Sequence, residues 1–440
     1  MTMVQSLRPA SIRENKYPLL GIIAVMALNL LSPFVTALLV YPAFLICIYR
    51  VIRYDERVFA ADYSVLIPVS LLFRTTGGMS LMVYLCLFAA IWYFVRGGIR
   101  AERSYVVLIV LLNYLILRMQ FEVSNFLLCF GQLFMLCVLL PKQDADAAER
   151  TVKLFCISLF ASSLYAFILR DTWQIAAIRG NEVPAFWGSN SMRFQGLFQD
   201  PNYYMSLLIV GLALLIKLKN ANRVGNWFFW IMGLAMTVFG LLTYSKTFIL
   251  MLPLLVAVYI VWQFWDRKFA RGLGLTLAGI ATIFILLLAD FSPFTVVLTR
   301  LTNATNLDEL TTGRSEVFEA YMSAITENAG SVMFGKGLAA KGLTKDPHNL
   351  YLEIVYYIGV TGLLLMTCFG GAVVHILKRM AYRAGKQNLF AKYAVLFMVL
   401  VLHFALHGMF STNTYACFFM AFLSILLTKK EEGDDPCISC

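Results

Sequence analysis

Residues able to handle a polyanion recur where the chain enters its apolar runs. "RFQGLFQDPNYY" (193–204) opens with Arg193, "TYSKTF" (243–248) carries Lys246, "TGRSEVFEAY" carries Arg314, and "KDPHNLYLEI" (345–354) carries His348. Two of these stretches share a design. "DPN" (200–202) and "DPHN" (346–349) read as helix starts, because Asp is a good N-cap and Pro suits the first helical position. Such a helix end presents N–H groups and partial positive charge, which makes it a ready anion site. Two arginines and a lysine beside such ends point to an anion with several oxygens, such as a diphosphate. Asp200, Asn202, Asp346, Asn349 and Lys246 are the candidate binding residues, and Arg193, Arg314 and His348 the candidate reactive ones. Each has an ordinary reading too. Asp-Pro begins many helices, Arg193 and Lys246 are placed to snorkel to an interface, and a lone histidine is commonly a hydrogen-bonded boundary residue. The functional reading rests on convergence: cations from three separate gaps and two anion-friendly helix ends map to one side of the chain's membrane pattern.

That pattern follows from composition. The chain has 440 residues, of which 60% are hydrophobic and 14% charged. Soluble domains run at about 45–50% apolar and about 25% charged, so this is a polytopic membrane protein of all-α class. The net charge of +11 lies in short gaps between apolar runs, which is a topology signal and not a nucleic-acid footprint. Candidate spans begin near Tyr17, Pro33, Val58, Ser80, Ser104, Val123, Thr151, Tyr203, Trp227, Thr247, Gly272, Leu350, Phe390 and Thr414. The expectation is about 12–14 spans, since each needs about 20 apolar residues and several runs are short. The run from Val58, with Asp62 and Pro68, is the weakest and suits a re-entrant segment. The first apolar run lacks a small-residue cleavage site and reads as a retained helix.

Every second gap is basic, beginning with Arg8, Arg13 and Lys16 and ending with Lys429 and Lys430. Both termini are therefore expected in the cytoplasm, with 1–440 a single integral membrane domain and 429–440 a cytoplasmic tail. On the other side, 171–202 forms a first external loop and 290–349 a large one, and long loops in compact proteins usually carry function. Within the second, Val317, Phe318, Tyr321, Met322 and Ile325 share a helical face, which predicts a packed external helix.

The same stretches resemble a known family. "RFQGLFQDPNYY", "SKTF", "TTGRSEVFEAY", "MFGKGL" and "PHNLYLEIVYYIGVTGLL", in that order over 193–365, look like the bacterial O-antigen ligase and polymerase family, which includes capsule and exopolysaccharide polymerases. The histidine–asparagine block followed by Gly359 and Gly362 is the most specific part, and the spacing from Arg314 to Gly330 resembles a pattern of the polymerase branch. No matching spacing occurs in the first loop.

The resemblance implies a metal-independent, cofactor-free membrane glycosyltransferase of the bacterial cytoplasmic membrane, its site facing the periplasm or exterior. The donor would be a glycan on undecaprenyl diphosphate. The acceptor would be a sugar hydroxyl on another lipid-linked repeat or on a lipid core. A chain-length regulator is a further candidate partner. By motif position, Arg193 and Arg314 would hold the diphosphate and His348 would act near the acceptor hydroxyl or the leaving group. The chemistry is coherent: a glycosyl diphosphate carries its own activation, preorganised cations stabilise the departing charge, and a histidine near neutrality can take a proton or, beside a phosphate, donate one. The overall resemblance leans towards polymerase over ligase.

Other readings are weaker. "DAD" (144–146) matches a metal–nucleotide triplet but sits in a charged gap and reads as a solvated turn. His403 and His407 share a helix face and read as buried hydrogen-bonded residues, while Glu353 and Asp290 are candidates for orienting His348 or pairing an arginine. Most of the nine cysteines lie in apolar stretches, so no disulfide framework is expected, and Cys437 and Cys440 lack the further ligands a zinc site needs. No Gly-rich phosphate loop, nucleophile elbow or H-E-x-x-H run is present. A flippase of lipid-linked sugars is the rival class, but it would place ionisable or broken segments near the midplane in paired halves.

Overall fold

The computed structural model describes residues 33–73, 80–97, 103–169, 193–265, 267–270, 273–274, 276–277, 314–341, 343, 347–383, 389–406 and 408–429. All regular structure within them is helical. Five helices there are long and apolar enough to cross a membrane: Val123–Lys142, Ala145–Ile168, Pro201–Asn220, Lys246–Trp265 and Leu350–Tyr382. Shorter apolar helices accompany them. A helix satisfies its own backbone, the requirement any segment in hydrocarbon must meet. The protein is thus all-α and built for a membrane.

In chain order the helices are α1 (Pro33–Arg53), α2 (Glu56–Leu66), α3 (Leu81–Gly97), α4 (Arg103–Arg118), α5 (Val123–Leu139), α6 (Ala145–Ile168), α7 (Pro201–Asn220), α8 (Asn226–Leu242), α9 (Lys246–Trp265), α10 (Arg314–Thr326), α11 (Ala329–Phe334), α12 (Leu350–Arg383), α13 (Leu389–Leu402) and α14 (Thr412–Ser424). Several starts are written locally. Asp55, Asp144 and Asp200 cap α2, α6 and α7 with their carboxylates, and Pro201 takes the first turn of α7. The weak run from Val58 becomes α2 followed by a 3-10 turn, Ile67–Phe73. An 11-residue helix such as α2 is only about 16 Å long and does not cross alone. Its Asp62 is buried against Arg50 at 2.7 Å.

Helix α7 is the centre, packed by α6, α8, α9, α13 and α14. Between apolar helices there is little hydrophobic drive in lipid, so close packing and side-chain hydrogen bonds hold the bundle. Ser158 donates to the carbonyl of Val65 at 2.6 Å, Tyr204 to Ser163 at 2.7 Å, and the buried Lys217 ammonium to the carbonyl of Ala391 at 2.6 Å.

Helix α12 corrects one expectation. The apolar run from Leu350 is not a continuous span: Gly359 is non-helical, with φ of +69°. The helix divides into 350–358 and 360–383. The carbonyls freed by the break are taken up from outside the helix. Lys336 N and Gly337 N donate to Tyr356 O and Tyr357 O, both at 2.8 Å, and the Tyr114 hydroxyl donates to Ile358 O at 2.6 Å. Gly335, at φ +71°, crosses the break, and a Cβ on either glycine would collide with the other segment's backbone. The second half still reaches roughly 35 Å, enough for the hydrocarbon core.

Candidate functional site

Arg193 lies in the last part of the first long loop, just ahead of α7. Its segment lies along α7: Phe194 N donates to Leu242 O at 3.0 Å, and the Phe194 ring meets Tyr204 edge-on, centroids 5.4 Å apart. This sets Arg193 against the α8–α9 turn. Its Nε donates to Thr243 O at 2.9 Å and its Nη2 to the Asn202 Oδ1 at 3.1 Å. The Ser245 hydroxyl donates to the same Asn202 oxygen at 3.1 Å. Asp200, the α7 cap, accepts from Asn202 N at 2.6 Å. Lys246 follows Ser245 as the first residue of α9, half-buried.

Arg314 arrives from the far side of the sequence at the start of α10. Its Nη1 donates to Ala405 O at 2.7 Å. Burial lowers its pKa, and the nearby charge of Asp200 acts in the opposite sense. Asp200 thus links the Arg193–Asn202 contact to Arg314 through its charge, and Lys246 follows Ser245, the other donor to Asn202. Among these described residues, three cations stand against one carboxylate, a balance that favours a multiply charged anion.

Beside it lies a cavity of about 420 Å³. This is inside the about 300–1,000 Å³ range typical of small-ligand sites. Gln199 and Tyr203, which bracket Asp200 and Asn202, form one wall, and Pro347, His348, Glu353 and Tyr357 form another. Gly408, Phe410, Ser411, Thr412 and Asn413 close it, with Ser70, Ser80, Val83 and Leu128 from the first third of the chain. Aromatic faces, amides and hydroxyls together are the surface a polar, ring-shaped ligand would meet.

The geometry around His348 departs from the expected "DPHN" start. Helix α12 begins at Leu350, and Asn349 is its cap, its Oδ1 accepting from Leu352 N at 3.0 Å. Pro347 lies before the helix, and His348 holds a left-handed backbone at φ +47°. Left-handed conformations cost non-glycine residues energy and concentrate at functional positions. Asp346 and His407 lie outside the described residues, as do Asp290, Cys437 and Cys440. Asn349 thus serves the helix through the side chain expected to bind ligand.

Across the 350–358 helix lies a second cavity of about 330 Å³, apolar, walled by Leu350, Tyr351, Ile354, Leu396 and Leu400 among others. The short helix is therefore two-faced: Glu353 and Tyr357 towards the polar cavity, Leu350 and Ile354 towards the apolar one.

Elsewhere, Tyr321 and Ile325 of α10 are buried, but Phe318 and Met322 are exposed, so the packed face is narrower than expected. The "DAD" carboxylates are engaged by arginines: Asp144 with Arg57 at 2.8 Å and Asp146 with Arg223 at 3.0 Å. His403 is buried, its Nδ1 2.7 Å from Val399 O. Arg118 carries no motif signal in the sequence; its Nη2 donates to Gly335 O at 2.6 Å and pins the "MFGKGL" loop. Gln199, Tyr203 and Asn413 line the cavity without a signal of their own in the sequence, although Gln199 and Tyr203 flank the "DPN" motif. No protein-family model matches the chain, and no curated protein matches it.

Proposed function

We propose that the protein is a membrane glycosyltransferase that moves a glycan from a polyprenyl diphosphate carrier to a sugar hydroxyl, most simply as repeat-unit polymerisation of a surface polysaccharide. Transfer to a lipid core, the ligase reaction, uses the same site. The observation that carries the reading is the Arg193–Asn202 contact at the head of α7, with Asp200 near enough for its charge to act on Arg314, beside the cavity lined by Gln199, Tyr203 and His348. Cations at the departing diphosphate stabilise charge that grows in the transition state, the usual largest contribution to such catalysis. The apolar cavity across the short helix suits hydrocarbon of the carrier. The full topology belongs to the same proposal: about 12–14 spans, both termini cytoplasmic, and 290–349 outside a bacterial cytoplasmic membrane.

The test is purified protein in liposomes given a lipid-linked oligosaccharide, without added metal. Longer glycan with released polyprenyl diphosphate is the expected result. Movement of the lipid between leaflets with no new glycosidic bond would replace the enzyme by a flippase. His348→Ala should abolish transfer, and wild-type turnover in that variant would remove His348 from the mechanism.

A further inference from the structure

We infer that Glu353 takes the proton from the acceptor hydroxyl, leaving His348 to serve the diphosphate side; this rests on the glycosyl-transfer reading above. Among the described residues, Glu353 is the only carboxylate lining the polar cavity. It is buried and set on the rigid 350–358 helix. Its Oε2 accepts from Met409 N. Gly408 lies directly beneath it, and a Cβ there would overlap both carboxylate oxygens. The chain therefore leaves out a side chain where this carboxylate rests. The other titratable groups in the same cavity wall are His348, Tyr203 and Tyr357, while behind it the Cys129 thiol lies 4.0 Å from Met409 O and the Tyr415 hydroxyl 3.3 Å from that sulfur.

The division of labour follows from charge. An imidazole close to a diphosphate stays protonated and donates, so it is a poor proton acceptor there. A carboxylate is repelled by the same diphosphate and belongs on the acceptor side. Ser411, Thr412 and Asn413 border the cavity near Glu353's partner Met409, and supply hydroxyl and amide groups suited to a sugar. His348 and Glu353, which line one cavity, then act on the two sides of the reaction. In the step, the acceptor oxygen bonds to the anomeric carbon. The bond from that carbon to the diphosphate oxygen breaks, and its electron pair leaves with the diphosphate. The hydroxyl proton passes to a Glu353 oxygen, from which water later removes it.

Glu353→Gln separates the two roles, because the amide oxygen can still accept from Met409 N but the side chain is no longer a base. The expected result is transfer reduced by about 100- to 10,000-fold with binding of a labelled lipid-linked oligosaccharide unchanged. In Glu353→Ala, sodium formate should restore part of the rate. Wild-type transfer by Glu353→Gln overturns the inference, and so does loss of donor binding together with rate, which marks a structural role. Failure of the wild-type protein to form a glycosidic bond would instead remove the parent reading, an outcome separate from either.

Discussion

At the scale of single residues, Arg193 shows how a site can be legible in part. Its partner Asn202 lies in the same motif, so the sequence alone drew them together. Its other contacts, Thr243 O and the Ser245–Asn202 link, come from a turn about fifty residues on and needed the fold. The guanidinium fork makes two divergent hydrogen bonds, which a lysine ammonium on a flexible stem cannot reproduce together. Arg193→Lys keeps the charge and should still lower kcat/KM for the lipid-linked donor. A hydrogen bond to a charged group contributes about 1.5–3 kcal/mol, so the loss should be roughly 10- to 100-fold. A rate within twofold of wild type would mean that charge alone matters. Glu353 was harder to read. In sequence it is one acid at the head of an apolar run, and its importance comes from Gly408 and Met409, which no spacing ties to it.

At the scale of elements, the two Asp-Pro motifs had different fates. "DPN" caps and starts α7 as its letters suggest, because Asp200 and Pro201 act within one turn. "DPHN" contains a second cap residue, Asn349, and the helix begins behind it, which leaves His348 in a left-handed turn. The break at Gly359 was hidden because hydropathy runs through it unaltered. It depends on a loop that arrives from elsewhere and donates Lys336 N and Gly337 N to the freed carbonyls. Gly335 and Gly359 each need a positive φ and each lack room for a Cβ. Left-handed strain costs about 1–2 kcal/mol and overpacking about 1–3 kcal/mol, so Gly335→Ala or Gly359→Ala should each destabilise by at least about 2 kcal/mol. The two side chains would disturb one crossing, so the double variant should fall short of additivity by more than about 0.5 kcal/mol. Unfolding in detergent measures this double-mutant cycle, and strict additivity would mean that the glycines act separately.

At the scale of the whole molecule, the basic gaps gather at one end. Arg57 donates to Lys142 O at 3.1 Å and pairs with Asp144; Arg223 reaches Asp146, Glu149 and, at 2.7 Å, Thr428 O. Residues from the gaps after α1, before α6, after α7 and after α14 thereby share one surface. At the opposite end, Arg118 holds the Gly335 loop, Arg193 bonds to Thr243 O and Arg314 to Ala405 O. The candidate site and the basic end are separated by the length of α5 and α7, which start at one and finish at the other. Charge asymmetry of this kind orients membrane proteins with the basic side in the cytoplasm. Asn222 is exposed at the basic end and Glu327 is exposed at the site end. In intact cells, a membrane-impermeant maleimide should label Glu327→Cys and leave Asn222→Cys unlabelled until the membrane is permeabilised, both measured against the parent protein's background. Reversal of that order would turn the cavity towards the cytoplasm. A donor that carries its own activation would then lose its rationale, because ATP and nucleotide sugars are available on that side.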